Sequence, residues 1–105
     1  MSQQLSHDPN LAFQQALALH RAGQLDKAVT LYRPLAQRFT SNGELMFLLG
    51  TALSQLGETE EGMRYLKKCL KLLPTHTEAL SNLGIGLHKI GKLDKALESY
   101  DHALR

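Results

Sequence analysis

The sequence repeats itself every 34 residues, and nothing else in it constrains the fold as tightly. Shifted by that period, Gly23, Gly57 and Gly91 fall into register, as do Leu19, Leu53 and Leu87. Ala28, Gly62 and Ala96 form another column, and Tyr32, Leu66 and Tyr100 a third. Two columns hold only small residues: Ala16, Gly50 and Gly84, and Ala18, Ala52 and Gly86. A fixed period of this length means that one supersecondary unit is stacked on copies of itself.

Each unit has helical spacing. In the third, Leu80, Leu83, Leu87 and Ile90 step by three and four; Gly91 interrupts, and Leu93, Ala96, Leu97, Tyr100 and Leu104 step again. A glycine at that break suits a chain reversal requiring positive φ. Ser41 with Glu44, and Thr75 with Glu78, have capping-box spacing, while Asp8 before Pro9 reads as a capping carboxylate and a first-turn proline. The pattern predicts helices over 9–22, 25–38, 43–56, 59–72, 77–90 and 93–104. Pro34 falls inside the second and is expected to loosen it, leaving the Thr30 carbonyl without its usual donor.

Composition narrows the function classes. Twelve Lys and Arg against ten Asp and Glu leave a formal charge of +2, too little to imply nucleic acid or a membrane surface. With 43% hydrophobic residues the chain can build a core. Cys69 stands alone and cannot form an intramolecular disulfide. The polar N-terminus lacks the pattern of a secretory signal, and no apolar stretch is long enough for a bilayer, so a soluble cytoplasmic protein is expected.

The columns resemble the tetratricopeptide repeat. The third unit matches best, through Leu83-Gly84, Gly91, Ala96, Tyr100 and Ala103. The second matches at Leu49-Gly50, Gly57 and Pro74, with Gly62 and Cys69 in place of two alanines. The first diverges most, with Gln15-Ala16 for the usual Leu-Gly and Thr40 for the closing proline. The resemblance implies an all-α, right-handed superhelical solenoid of three antiparallel helix pairs. It divides the chain into a tail, 1–8, and a repeat domain, 9–105, with units 9–42, 43–76 and 77–105, the last incomplete. Ala16, Gly50 and Gly84 would let paired helices approach closely, and Cys69 would be a small core residue.

No residues suggest catalysis or a cofactor. His20 and His88 are equivalent but two units apart, and no set has zinc-ligand spacing. Gly84-Ile85-Gly86 is half a dinucleotide fingerprint and follows no strand. Arg64, Lys67, Lys68 and Lys71 share one side of a helix and read as a solvated convex face, not a nucleic-acid patch.

The resemblance instead places a partner-binding groove on the first helices of the units. Carried over by position, the first helix contributes Asn10, Phe13, Leu17, His20 and Arg21. The second contributes Glu44, Phe47, Leu48, Thr51 and Gln55. The third contributes Glu78, Ser81, Asn82, Ile85, His88 and Lys89. Phe13 and Phe47 are candidates both for ligand contact and for filling gaps between helices. Some members of the family clamp a chaperone's terminal carboxylate; the equivalent positions here, Phe13, Leu17, Leu48, Glu78 and Asn82, are unsuited to that. The resemblance therefore implies a protein-interaction scaffold that holds a peptide segment. Two further readings are a substrate-recruiting region of a larger enzyme similar to the O-linked N-acetylglucosamine transferases, and a self-assembling solenoid. The last helix presents Leu97 or Leu104 to a missing neighbour, which predicts either a longer protein or a homo-oligomer through this uncapped end.

Overall fold

The computed structural model describes residues 8–105, so the expected 1–8 tail lies outside the described residues except for Asp8. Among the described residues there are six helices and no strand: α1 Pro9–Arg21, α2 Leu25–Arg38, α3 Gly43–Gln55, α4 Thr59–Leu72, α5 Thr77–Lys89 and α6 Leu93–Leu104. Each expected boundary holds to within one residue. Consecutive helices pack on each other, and α3 also touches α5 directly. The body is elongated, 50 × 24 × 19 Å, as a stack of pairs must be when each unit contacts only its neighbours.

The turns within pairs are identical in kind. Gly23, Gly57 and Gly91 have φ of 80°, 92° and 84°, and the residue after each returns its N–H to a carbonyl of the preceding helix (Gln24 to Leu19, Glu58 to Leu53, Lys92 to Leu87). Only glycine takes this left-handed conformation without strain, so the period of the sequence is the period of the turns.

The helices start where expected, but two of their caps lie one residue later than read. Asp8 caps α1, its carboxylate accepting from Asn10 N–H at 2.9 Å, as read from sequence. The caps of α3 and α5 are Asn42 and His76 instead of Ser41 and Thr75. Asn42 Oδ1 accepts from Leu45 N–H at 3.0 Å, and His76 Nδ1 accepts from Ala79 N–H at 3.1 Å. These side chains reach the N3 amide, which leaves no use for the shifted capping boxes. Helix α2 runs on through Pro34, which lies with Thr30 on the solvent side, where water can satisfy the orphaned carbonyl.

The main core runs from Ala12 to Ala79, with Tyr32, Leu49, Leu53, Leu66 and Cys69 fully buried; a smaller cluster of Met63, Leu87 and Ala96 continues it towards α6. Each large aliphatic side chain so buried contributes roughly 1.5–3 kcal/mol. Small residues set the helix spacing within pairs. A Cβ on Gly50 would lie 2.8 Å from the Gly62 carbonyl oxygen, and one on Gly62 would lie 2.8 Å from the Gly50 oxygen, so α3 and α4 touch backbone to backbone. At Gly84 the Tyr100 ring fills the equivalent space.

Candidate functional site

The first helices of the units, α1, α3 and α5, share one face, which holds a hollow of about 230 Å³ between the second and third units. Thr51, Ser54 and Gln55 of α3 line one wall, Asn82, Ile85, Gly86 and Lys89 of α5 the other, and Thr59 of α4 the end. Five of the expected residues meet here: Thr51, Gln55, Asn82, Ile85 and Lys89. Ser54, Thr59 and Gly86 were not anticipated, although Gly86 belongs to the small-residue column with Ala18 and Ala52. The third unit's small residue opens the wall, because Gly86 offers no side chain where Met63 of α4 comes close.

The polar side chains of this wall are held in place. Asn82 Nδ2 donates to Thr51 Oγ1 at 3.1 Å, which leaves its amide oxygen as an acceptor. Gln55 Oε1 accepts from His20 Nε2 at 2.9 Å, and His20 Nδ1 lies 3.1 Å from the Tyr32 hydroxyl. An amide oxygen only accepts, so the imidazole carries its proton on Nε2 and the Tyr32 O–H donates to Nδ1. Burial pushes the Tyr32 phenol up to about 12, which keeps that donor protonated. The chain Tyr32–His20–Gln55 thereby ties the first unit to the second along the groove.

The apolar member is Ile85, 46% exposed on a wall otherwise lined by amides, hydroxyls and an amine. In the same column Leu17 and Thr51 are half-buried, so the open aliphatic surface is particular to the third unit.

Of the two roles open to the phenylalanines, Phe47 takes that of filling a gap between helices. Phe47 is a core residue at 8% exposure, with its ring 4.5 Å from that of His76. The fixed cap holds His76 beside it: Nδ1 accepts from the helix, so Nε2 donates to Glu44 Oε1 at 3.0 Å. Phe13 is half-buried against Tyr32, at 6.5 Å between ring centres. Leu17, Leu48 and Ser81 are half-buried on the same face outside the hollow, and Asn10, Glu78 and His88 are exposed.

Charge divides the groove into two edges. Glu44 and Glu78 stand at the helix N-terminal ends, Arg21 and Lys89 at the C-terminal ends. This order complements the helix dipoles and would stabilise the helices without any ligand. It also gives a ligand one acidic and one basic rim. On α4, Arg64, Lys67, Lys68 and Lys71 are exposed, and Lys68 lies over the Tyr65 ring at 4.8 Å.

No group of three or more His, Cys, Asp or Glu among the described residues could hold a metal ion, and no helix among them is long and apolar enough to cross a membrane.

Three family models, each described as tetratricopeptide repeat, match residues 9–34, 43–76 and 79–105. No curated protein matches the chain in sequence. Among solved structures, MamA MSR-1 superposes with a TM-score of 0.87 at 25% identity, over 92% of this chain and 56% of that one. MamA AMB-1 gives 0.88 at 24%, over 93% and 54%. The chain thus spans about half the length of these MamA chains. The second repeat domain of Spaghetti (RPAP3), solved with the HSP90 peptide SRMEEVD, gives 0.87 at 16% identity, over 93% and 91%.

Proposed function

Because the chain belongs to the tetratricopeptide repeat family, we propose that it is a protein-interaction scaffold whose concave face holds a peptide segment of a partner. The observation that carries this is the wall between α3 and α5, where exposed Ile85 sits among side chains already fixed by hydrogen bonds. An aliphatic surface ringed by oriented polar groups suits a peptide, whose side chain takes the apolar spot while its backbone meets the amides. The Spaghetti (RPAP3) domain bound to a peptide supports the reading, since its fold is shared over most of both chains.

The ligand differs from a terminal carboxylate. Phe13, Leu17 and Leu48 offer no cation, Glu78 would repel an anion, and Asn82 is engaged with Thr51. The best match is an internal segment with an aliphatic residue for Ile85 and an acidic residue within reach of Lys89. In this reading the chain acts by binding, in the cytoplasm. Selecting peptides from a random displayed library and measuring the enriched ones by calorimetry tests this. Ile85→Glu should weaken binding about tenfold or more, as for a buried anchor, and Lys71→Glu should leave it unchanged. The opposite pattern would move the site to the basic face.

A further inference from the structure

The outer face of α6 carries side chains that the repeat register marks as contacts to a following unit. Leu93, Leu97 and Leu104 occupy the columns of Thr59, Met63 and Leu70 in α4, and of Leu25, Val29 and Ala36 in α2. In those helices the middle column is covered: Val29 and Met63 are each 6% exposed. Met63 reaches so close to α5 that a Cβ on Gly86 would lie 2.8 Å from its Cγ. In α6 the same columns stand open, with Leu97 56% and Leu104 87% exposed.

We propose that a second copy of this chain stacks its α1 on this face, head to tail, so that the solenoid continues from one molecule into the next. Two features of α1 fit the role. Leu11 and Ala18 are exposed, and they stand in the columns with which α3 and α5 face the preceding unit. Ala18 shares its column with Gly86, so Leu97 meets Ala18 of the second copy as Met63 meets Gly86. Gln15 replaces Leu49 and Leu83 in the column between them, so the junction buries less apolar surface than the internal ones and is reversible.

One charge pair of the repeat register fits this occupant. Across the first internal junction Arg33 of α2 is paired with Glu61 of α4. The same two positions at the proposed junction are Asp101 and Lys27 of the second copy: opposite charges again, with the sign reversed. Asp101 also accepts from Arg105 of its own helix at 2.7 Å. At the second internal junction the positions hold Lys67 and Lys95, which line one hollow between α4 and α6, so the geometry recurs even where the charges do not match. One contact opposes the stack, since the counterpart of Glu44–His76 places Glu78 near Asp8 of the second copy.

A head-to-tail contact does not close on itself, so it predicts growth beyond a dimer. Sedimentation velocity of the intact protein over a range of concentrations should show species larger than dimers, dissolved by Leu97→Glu. Asp101→Lys and Lys27→Asp should each weaken association about tenfold, because each sets like charges against each other. An equimolar mixture of the two variants should restore it, since each then meets an opposite charge. A monomer at every concentration overturns the proposal. So does an assembly that stops at the dimer, which would be tail-to-tail pairing, or one indifferent to Leu97→Glu, or a mixture of charge variants no more associated than its components.

Discussion

Replacing Gly50 by alanine pits two physical effects against each other, and the structure decides the winner. Alanine stabilises a helix interior by about 1 kcal/mol relative to glycine, so on propensity alone the variant should be more stable. The added Cβ would lie 2.8 Å from the Gly62 carbonyl oxygen and 3.0 Å from both the Leu66 backbone nitrogen and Cγ. Two of those atoms are backbone, so no rotamer relieves the clash and α3 must move away from α4. Overpacking costs typically 1–3 kcal/mol, and a clash with two backbone atoms belongs in the upper half of that range, which leaves a net loss of about 1–2 kcal/mol. For a domain near this size that is a fall in Tm of roughly 5–15 °C. Gly84→Ala is the internal control, since its closest neighbours are atoms of the half-buried Tyr100 ring, which can swing aside. It should be near neutral. Urea and thermal unfolding followed by circular dichroism measure both. A Gly50→Ala protein as stable as the parent, or more so, would refute the backbone contact as the cause of the small-residue column.

Asn42→Ala and His76→Ala should each cost about 1 kcal/mol of stability through the lost cap, and Ser41→Ala and Thr75→Ala less than about 0.5, by the same unfolding assay. Burial pushes the Cys69 thiol up to about 11, so alkylation near neutral pH should be slow until denaturant is added; fast labelling of the folded protein would contradict its core position. The Arg33 guanidinium holds the Glu61 carboxyl below the usual glutamate range. That contribution is present above about pH 4.3 and fades as pH falls through the depressed folded value. Arg33 is 42% exposed, so a double-mutant cycle should give under about 1 kcal/mol at neutral pH and nothing in acid.

The parts of the fold that depend on local conformation were legible. Glycines with positive φ recur at the period of the sequence, and apolar spacing fixed the helices between them. The caps were misread because Ser41 and Thr75 satisfy a spacing rule, while the neighbouring Asn42 and His76 reach the amides once the chain has turned. The role of Phe47 stayed open for a different reason. Sequence register gives the helix on which a side chain sits, but not whether the next unit's loop, here bearing His76, closes over it. The Asn82–Thr51 and His20–Gln55 bonds join residues 31 and 35 positions apart, and no local pattern announces them. Ile85 was found by position alone, and it is 46% exposed.

The face built by α1, α3 and α5 is proposed to hold the ligand. Nuclear magnetic resonance of the isotope-labelled protein, titrated with a peptide enriched from the displayed library, tests it most directly. Amide shifts should concentrate at Thr51, Gln55, Asn82, Ile85 and Lys89, with Arg64, Lys67, Lys68 and Lys71 unmoved. Shifts confined to those four residues of α4, with the α3–α5 wall silent, would contradict it.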